Sequence, residues 1–138
     1  MVSKPSSGFQ EIDHTADWEL QVWAPDFPAL LECAARGMSA LTEITLAKEP
    51  RVFREFVLPR TDRETLLVDF LSELLFFAEH QGIAFDTYNL KLNANSLVAS
   101  VEGAAIENQA KEIKAVTYHR LSVQSTDRGL EVNLVFDV

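Results

Sequence analysis

Two apolar stripes of helical period, and a change to period two after the second, constrain this chain more than any other feature of its sequence. Phe27, Leu30, Leu31, Ala34, Met38 and Leu41 fall at i, i+3, i+4, i+7, i+11 and i+14, which is one face of an amphipathic helix. Asp26 stands where an N-cap belongs and Pro28 in the first turn, where a missing N–H costs nothing. Gly37 inside the stripe marks close packing. Leu66, Leu67, Phe70, Leu71, Leu74, Leu75 and Ala78 form the second stripe, with Thr61 and Glu64 at capping-box spacing before it and Gly82 placed to end it in a left-handed conformation.

The remaining apolar residues alternate. Leu20, Val22 and Ala24 predict one strand within Phe9 to Ala24, and the run from Arg51 to Leu58, closed by Pro59, predicts another. Leu90 and Leu92, then Leu97, Ala99 and Val101, flank Asn93-Ala94-Asn95-Ser96 and read as a hairpin. Residues 113–124 and 130–138 supply two more strands around Asp127-Arg128-Gly129, where Gly provides a positive φ. The order β-α-β-α-β-β-β-β predicts an α+β two-layer sandwich, two amphipathic helices on a mainly antiparallel sheet. At 138 residues the chain suits one domain, which usually takes ~100–150 residues. Residues 1–8 read as a flexible tail and 9–138 as the domain.

Charge narrows the function. Twelve Lys and Arg against 21 Asp and Glu give a net charge of −9, so no direct nucleic-acid binding is expected, because that needs clustered cations. A single cysteine, Cys33, favours a reducing compartment. With no bilayer-length apolar run and no signal-peptide core near the start, no membrane association is expected and a cytoplasmic location is. Gly-rich phosphate loops, zinc-type Cys pairs and the Gly-x-Ser-x-Gly elbow are absent from the sequence. A metal-dependent hydrolase finds no nucleophile and base pair here.

Two oxygen-rich points remain. Glu11, Asp13, His14, Asp17 and Glu19 crowd nine positions, a set that suits a hard cation such as Ca²⁺ or Mg²⁺, or equally a solvated face with a turn at His14-Thr15-Ala16-Asp17. A regular strand sends Glu11, Asp13, Asp17 and Glu19 to one face and His14 to the other. At the other end Leu130, Val132, Leu134 and Phe136 face one way, and Glu131, Asn133, Val135 and Asp137 the other, with Val138 adding backbone oxygens. On the preceding strand Thr117 and His119 share one face, and Lys114, Val116 and Tyr118 the other. His80 suits the C-terminal dipole of the second helix, Cys33 suits a packed position, and Trp18 and Trp23 lie on opposite strand faces, so that at least one is open to a partner.

Phe9 with Asp13-His14-Thr15-Ala16-Asp17, the Phe27–Met38 helix, the Leu-rich second helix, Lys114-Ala-Val-Thr-Tyr-His119 and the closing Phe136-Asp137-Val138 together resemble the archease family, from about Phe9 onward. The resemblance implies a protein cofactor and not an enzyme. Archeases assist the RtcB-type RNA ligase of tRNA splicing and RNA repair, promoting guanylylation of the ligase and its multiple turnover. Alternatively, they act as chaperone-like modulators of an RNA-modifying enzyme such as a tRNA cytosine-5 methyltransferase. It also implies a metal site of Asp17, Asp137 and Val138, with Ca²⁺ the expected ion, and partner contacts at Asp13, His14, Lys114 and His119. The resemblance is weakest over Gly103 to Ile113, where the family often carries a basic residue and a His; this loop reads as shortened, and Lys111 is expected to substitute in part.

Overall fold

The computed structural model describes residues 6–12 and 18–138. Strands β1 (Gly8–Ile12) and β2 (Trp18–Ala24) pair antiparallel, with Gly8 opposite Trp23 and Ile12 opposite Glu19. Phe9 to Ala24 therefore holds two strands where the sequence predicted one. The buried alternation belongs to β2 alone, whereas Gln10 and Glu11 leave β1 exposed on an edge.

Helix α1 (Phe27–Thr42) starts as its sequence dictates. The Asp26 carboxylate accepts the Ala29 N–H at 2.9 Å, and Pro28 lies in the first turn. Gly37 is where α1 comes down on β1 and β2: a Cβ there would sit 2.5 Å from Leu20 Cδ2 and 3.0 Å from Phe9 Cγ. Strand β3 (Ile44–Leu46), which the sequence did not announce, follows directly, and then β4 (Val52–Pro59), with alternate residues exposed. Helix α2 (Arg63–Gln81) is capped by Asp62 and not by Thr61. The Asp62 carboxylate accepts the Thr65 N–H at 3.0 Å, a bond that also lowers its pKa. Glu64 closes no capping box; it accepts the Val123 N–H at 2.8 Å and ties the later loop to the helix. A carboxylate is the stronger acceptor at the positive end of a helix, so Asp62 displaces the hydroxyl beside it. Gly82 ends α2 with φ 66°, as its place in the sequence predicted.

The hairpin is β5 (Ile83–Leu92) and β6 (Ser96–Gln109), closed by the Asn93 N–H on the Ser96 carbonyl at 2.8 Å. The run 113–124 does not make one strand. It yields β7 (Ala115–Val116), a loop, and β8 (Gln124–Thr126), before β9 (Gly129–Asp137). Two antiparallel sheets result. In one the order is β1-β2-β9-β7, with β8 also on β9; in the other β6 pairs with β3, β4 and β5.

The helices hold these sheets together. α1 packs on β1, β2 and β9 of the first sheet and on β5 of the second, and α2 packs on α1, β4, β5 and β7. Leu20, Leu30, Leu31, Leu67, Phe70, Leu71, Leu97, Leu134 and Phe136 are shut from solvent in one continuous core. Each such side chain contributes roughly 1.5–3 kcal/mol by leaving water. The architecture is the α+β packing of two helices on antiparallel strands that the sequence predicted.

β5 bulges between Phe85 and Thr87, and Arg51 fixes the bulge. Its guanidinium reaches Asp86 at 2.5 and 3.1 Å and Glu102 at 2.7 Å, while Arg36 bonds the Asp86 carbonyl at 3.1 Å. The hydrogen bonds from Arg51 hold the Asp86 carboxyl below its ordinary pKa. A depressed folded-state pKa gives stability that is present above the unfolded value, near ~3.9, and is lost as pH falls through the folded one. Thermal melts should therefore find wild type more stable than Asp86→Asn at neutral pH, with the gap closing below about pH 4; a gap independent of pH would refute the ion pair's role.

Gly129 has φ 97°, and a Cβ there would run into the Ala24 carbonyl on the neighbouring strand. Gly129→Ala should cost about 2 kcal/mol or more in urea denaturation, through strain at this dihedral and the clash together.

Candidate functional site

The oxygen-rich point at the end of β9 is built by pairing on both flanks. On one side Trp18 lies opposite Phe136, and on the other Ala115 lies opposite Asp137. The Lys114 N–H bonds the Asp137 carbonyl at 2.8 Å, and Thr117 gives both its N–H and its hydroxyl to the Val135 carbonyl, at 3.0 and 2.9 Å. Phe136 is fully buried, which locks the register, while Asp137 and Val138 just beyond that anchor are exposed. The Asp137 carboxylate has no hydrogen-bond or ion-pair partner among the described residues.

Asp13, His14 and Asp17 lie outside the described residues. Of the other predicted site residues, Asp137, Val138 and Lys114 come together, joined through the Lys114 backbone. The predicted parity of the Lys114–His119 run does not hold, because the strand ends at Val116. Val116 is buried while Lys114 and Tyr118, expected on the same face, are both exposed. His119 is exposed, its N–H directed to the Thr117 hydroxyl at 3.3 Å, and no hydrogen bond or ion pair links its ring to Asp137 or Lys114. Arg120 next to it takes a left-handed φ of 52°, which turns the chain away from the sheet.

Lys111 is the site neighbour that hydrophobic patterning hid. Its ammonium stands 4.7 Å from the centroid of Trp18, the first described residue after Asp17 in the chain. Trp18 shares parity with Leu20, so its ring packs against the core and offers Lys111 the outer surface. Trp23 is covered by Arg128 at 3.9 Å, and neither indole is freely exposed. That is contrary to the expectation of an open one. Cys33 is buried, its thiol directed to the Gly8 carbonyl at 3.1 Å, and burial raises its pKa, which suits packing and not nucleophilic chemistry. His80 sits in the last turn of α2 against the Phe76 ring, at 4.4 Å. Among the described residues, no three His, Cys, Asp or Glu side chains converge to hold a metal ion. Among them, too, no helix is long and apolar enough to cross a membrane.

Residues 9–138 match the model of the archease protein family (MTH1598/TM1083). The chain belongs to the archease family. Among its relatives, protein archease of Methanosarcina barkeri is 31% identical over 99% of this chain and 100% of that protein. Protein archease of Methanothermobacter thermautotrophicus is 28% identical over 95% and 99%. Two solved structures share the fold. The solution structure of Methanobacterium thermoautotrophicum protein 1598 aligns with a TM-score of 0.72 at 26% identity, covering 95% of this chain and 99% of that one. The crystal structure of an archease, described as a possible chaperone, from Thermotoga maritima aligns with a TM-score of 0.71 at 27% identity, covering 94% and 96%. None of these names is that of an enzyme.

The Lys114 side chain is exposed, and the bond that holds the end of β9 comes from its backbone. Lys114→Ala should leave unfolding free energy within about 0.5 kcal/mol of wild type. Val116→Ala, at a buried position, should cost ~1–3 kcal/mol in the same denaturation experiment. A large loss in Lys114→Ala would mean that the ammonium itself holds the fold.

Proposed function

We propose that this chain is a protein cofactor, not an enzyme, that activates an RtcB-type RNA ligase by promoting its guanylylation and multiple turnover in tRNA splicing and RNA repair. The match of residues 9–138 to the archease family carries this reading. The residue that follows Asp17, Trp18, pairs with the residue that precedes Asp137, Phe136, which supports a site drawn from both carboxylates. The donors Asp17, Asp137 and the Val138 backbone oxygens are all oxygen, a set fitted to a hard divalent cation, of which Ca²⁺ accepts the most irregular shell. When bound, such an ion supplies positive charge that phosphate oxygens can share.

In this reading the chain's own residues present and orient. β9, fixed by β2 and β7, holds the Asp137 carboxylate out from the buried Phe136, and the described residues leave the ligand shell short, so that a partner or water fills it. Lys114, His119, Asp13 and His14 contact the ligase around that point. The work takes place in the cytoplasm, without a membrane, and RNA is met through the ligase and not by this acidic chain directly.

A second reading is favoured by the description of the Thermotoga maritima relative as a possible chaperone: a chaperone-like modulator of an RNA-modifying enzyme such as a tRNA cytosine-5 methyltransferase. One assay separates the two, guanylylation and multiple-turnover ligation by a candidate ligase with wild type, Asp17→Ala or Asp137→Ala. Each variant should lose activation by at least about tenfold, since even indirect support of a metal ligand is worth that much, and a chelator should reproduce the loss. Unchanged activation by both variants would remove the acidic end from the mechanism. A partner whose solubility alone depends on this protein would favour the chaperone reading.

A further inference from the structure

β4 borders the sheet that does not carry Asp137. It pairs with β6 on one side and with no described strand on the other. Beyond its end the Arg60 N–H bonds the Asn95 carbonyl at 2.9 Å, continuing the register in which Pro59 lies opposite Ser96. Backbone bonds alternate along an antiparallel strand, so the even-numbered residues of β4 turn their N–H and C=O to β6 and the odd-numbered ones turn theirs to the free edge. Phe53, Glu55, Val57 and Pro59 hence own the edge, and the same residues are the exposed ones, Phe53 at 67% and Val57 at 58%.

Both ends of that edge are shielded. The Arg54 guanidinium, itself held by Gln81, donates to the Phe53 carbonyl at 2.8 Å, and Pro59 has no N–H to offer. The backbone of Glu55 through Val57 stays open between them. Beside it lies a depression of about 490 Å³ lined by Phe53, Glu55, Thr87, Ser100 and Glu102. The Ser100 hydroxyl bonds the Glu55 carboxylate at 3.2 Å, which holds it upright on this face.

Charge selects the occupant. A second copy of the chain, paired so that Phe53 meets Val57 of the other copy, sets Glu55 directly opposite Glu55, and like charges so placed repel. A strand with a cation at that position gains an attraction instead, with the exposed Phe53 ring to cover its stem. We propose that the Glu55–Val57 edge, flanked by Phe53, docks an extended segment of a partner protein carrying Lys or Arg with an apolar residue two positions to either side.

The probes are the capped peptide Thr-Val-Thr-Arg-Thr-Val-Thr and the same peptide with Glu in place of Arg, each titrated into isotope-labelled full-length protein. Amide shifts should be confined to β4 and its neighbours on β6, with the Arg peptide bound about two- to fivefold tighter, the range of one cross-strand charge pair. Glu55→Arg should invert the preference while Arg51 and the bulge of β5 stay unchanged. Equal binding of the two peptides, shifts centred elsewhere, or no inversion in Glu55→Arg would overturn the proposal. So would sedimentation of wild type as a dimer that Val57→Lys dissolves, which would put a second copy on this edge.

Discussion

The pairing of β2 with β9 is the contact on which most else in this molecule depends. It joins Trp18–Ala24 to Leu130–Phe136, near opposite ends of the sequence, in an unbroken antiparallel register. Such a contact closes a loop of most of the chain, and the entropy lost has to be offset by what the strands bury. Leu20, Val22, Leu134 and Phe136 provide that burial, under α1. β1, β7 and β8 are short or exposed and hold their places only as additions to this pair. The proposed acidic end inherits its geometry from the same ladder, because the last buried residue before Asp137 is Phe136, and its partner Trp18 is the one next to Asp17.

Much of this was legible in the residues. Helix limits were written in Asp26, Pro28 and Gly82, whose local chemistry does not depend on what packs around them. β9 was legible because Val132, Leu134 and Phe136 are buried on one face, with Leu130 partly so. What escaped was set by tertiary partners. β1 lacks an apolar face of its own and exists because β2 offers an edge, and β3 has only three residues completed by β6. The Thr61–Glu64 spacing looked like a capping box, but Glu64 has a better use in the loop at Val123, a position no local pattern points to. The Lys114–His119 run alternates like a strand, yet Thr117 spends its hydroxyl on the Val135 carbonyl and the chain leaves the sheet at that point.

The candidate site was legible in kind more than in arrangement. Asp137 was singled out by an apolar alternation running to the end of the sequence, and the structure places it, exposed, beyond a buried anchor. Lys111 over Trp18 was invisible to periodicity because cation–ring contacts have no sequence spacing. His119 was grouped with the site by the family resemblance, and the strand expected to carry it ends at Val116.

The net charge of −9 now has a distribution. Several carboxylates are engaged in structure: Asp26 and Asp62 cap helices, Asp86 and Glu102 hold Arg51, Glu64 ties down a loop, and Glu131 pairs with Arg128. Arg51 and Arg128 offset the charge of Asp86, Glu102 and Glu131, while Asp26, Asp62 and Glu64 keep their charge but are committed to backbone N–H groups. Asp137 and Glu55 are different, since neither meets a cation or a backbone N–H among the described residues, and they stand on separate sheets braced by the same two helices. A rigid body that keeps one such carboxylate at a strand end and another on a strand edge can hold a partner by the edge while directing the strand end at it. Binding energy gained at the edge then serves to position the end, and the small oxygen set at Asp137 needs little affinity of its own.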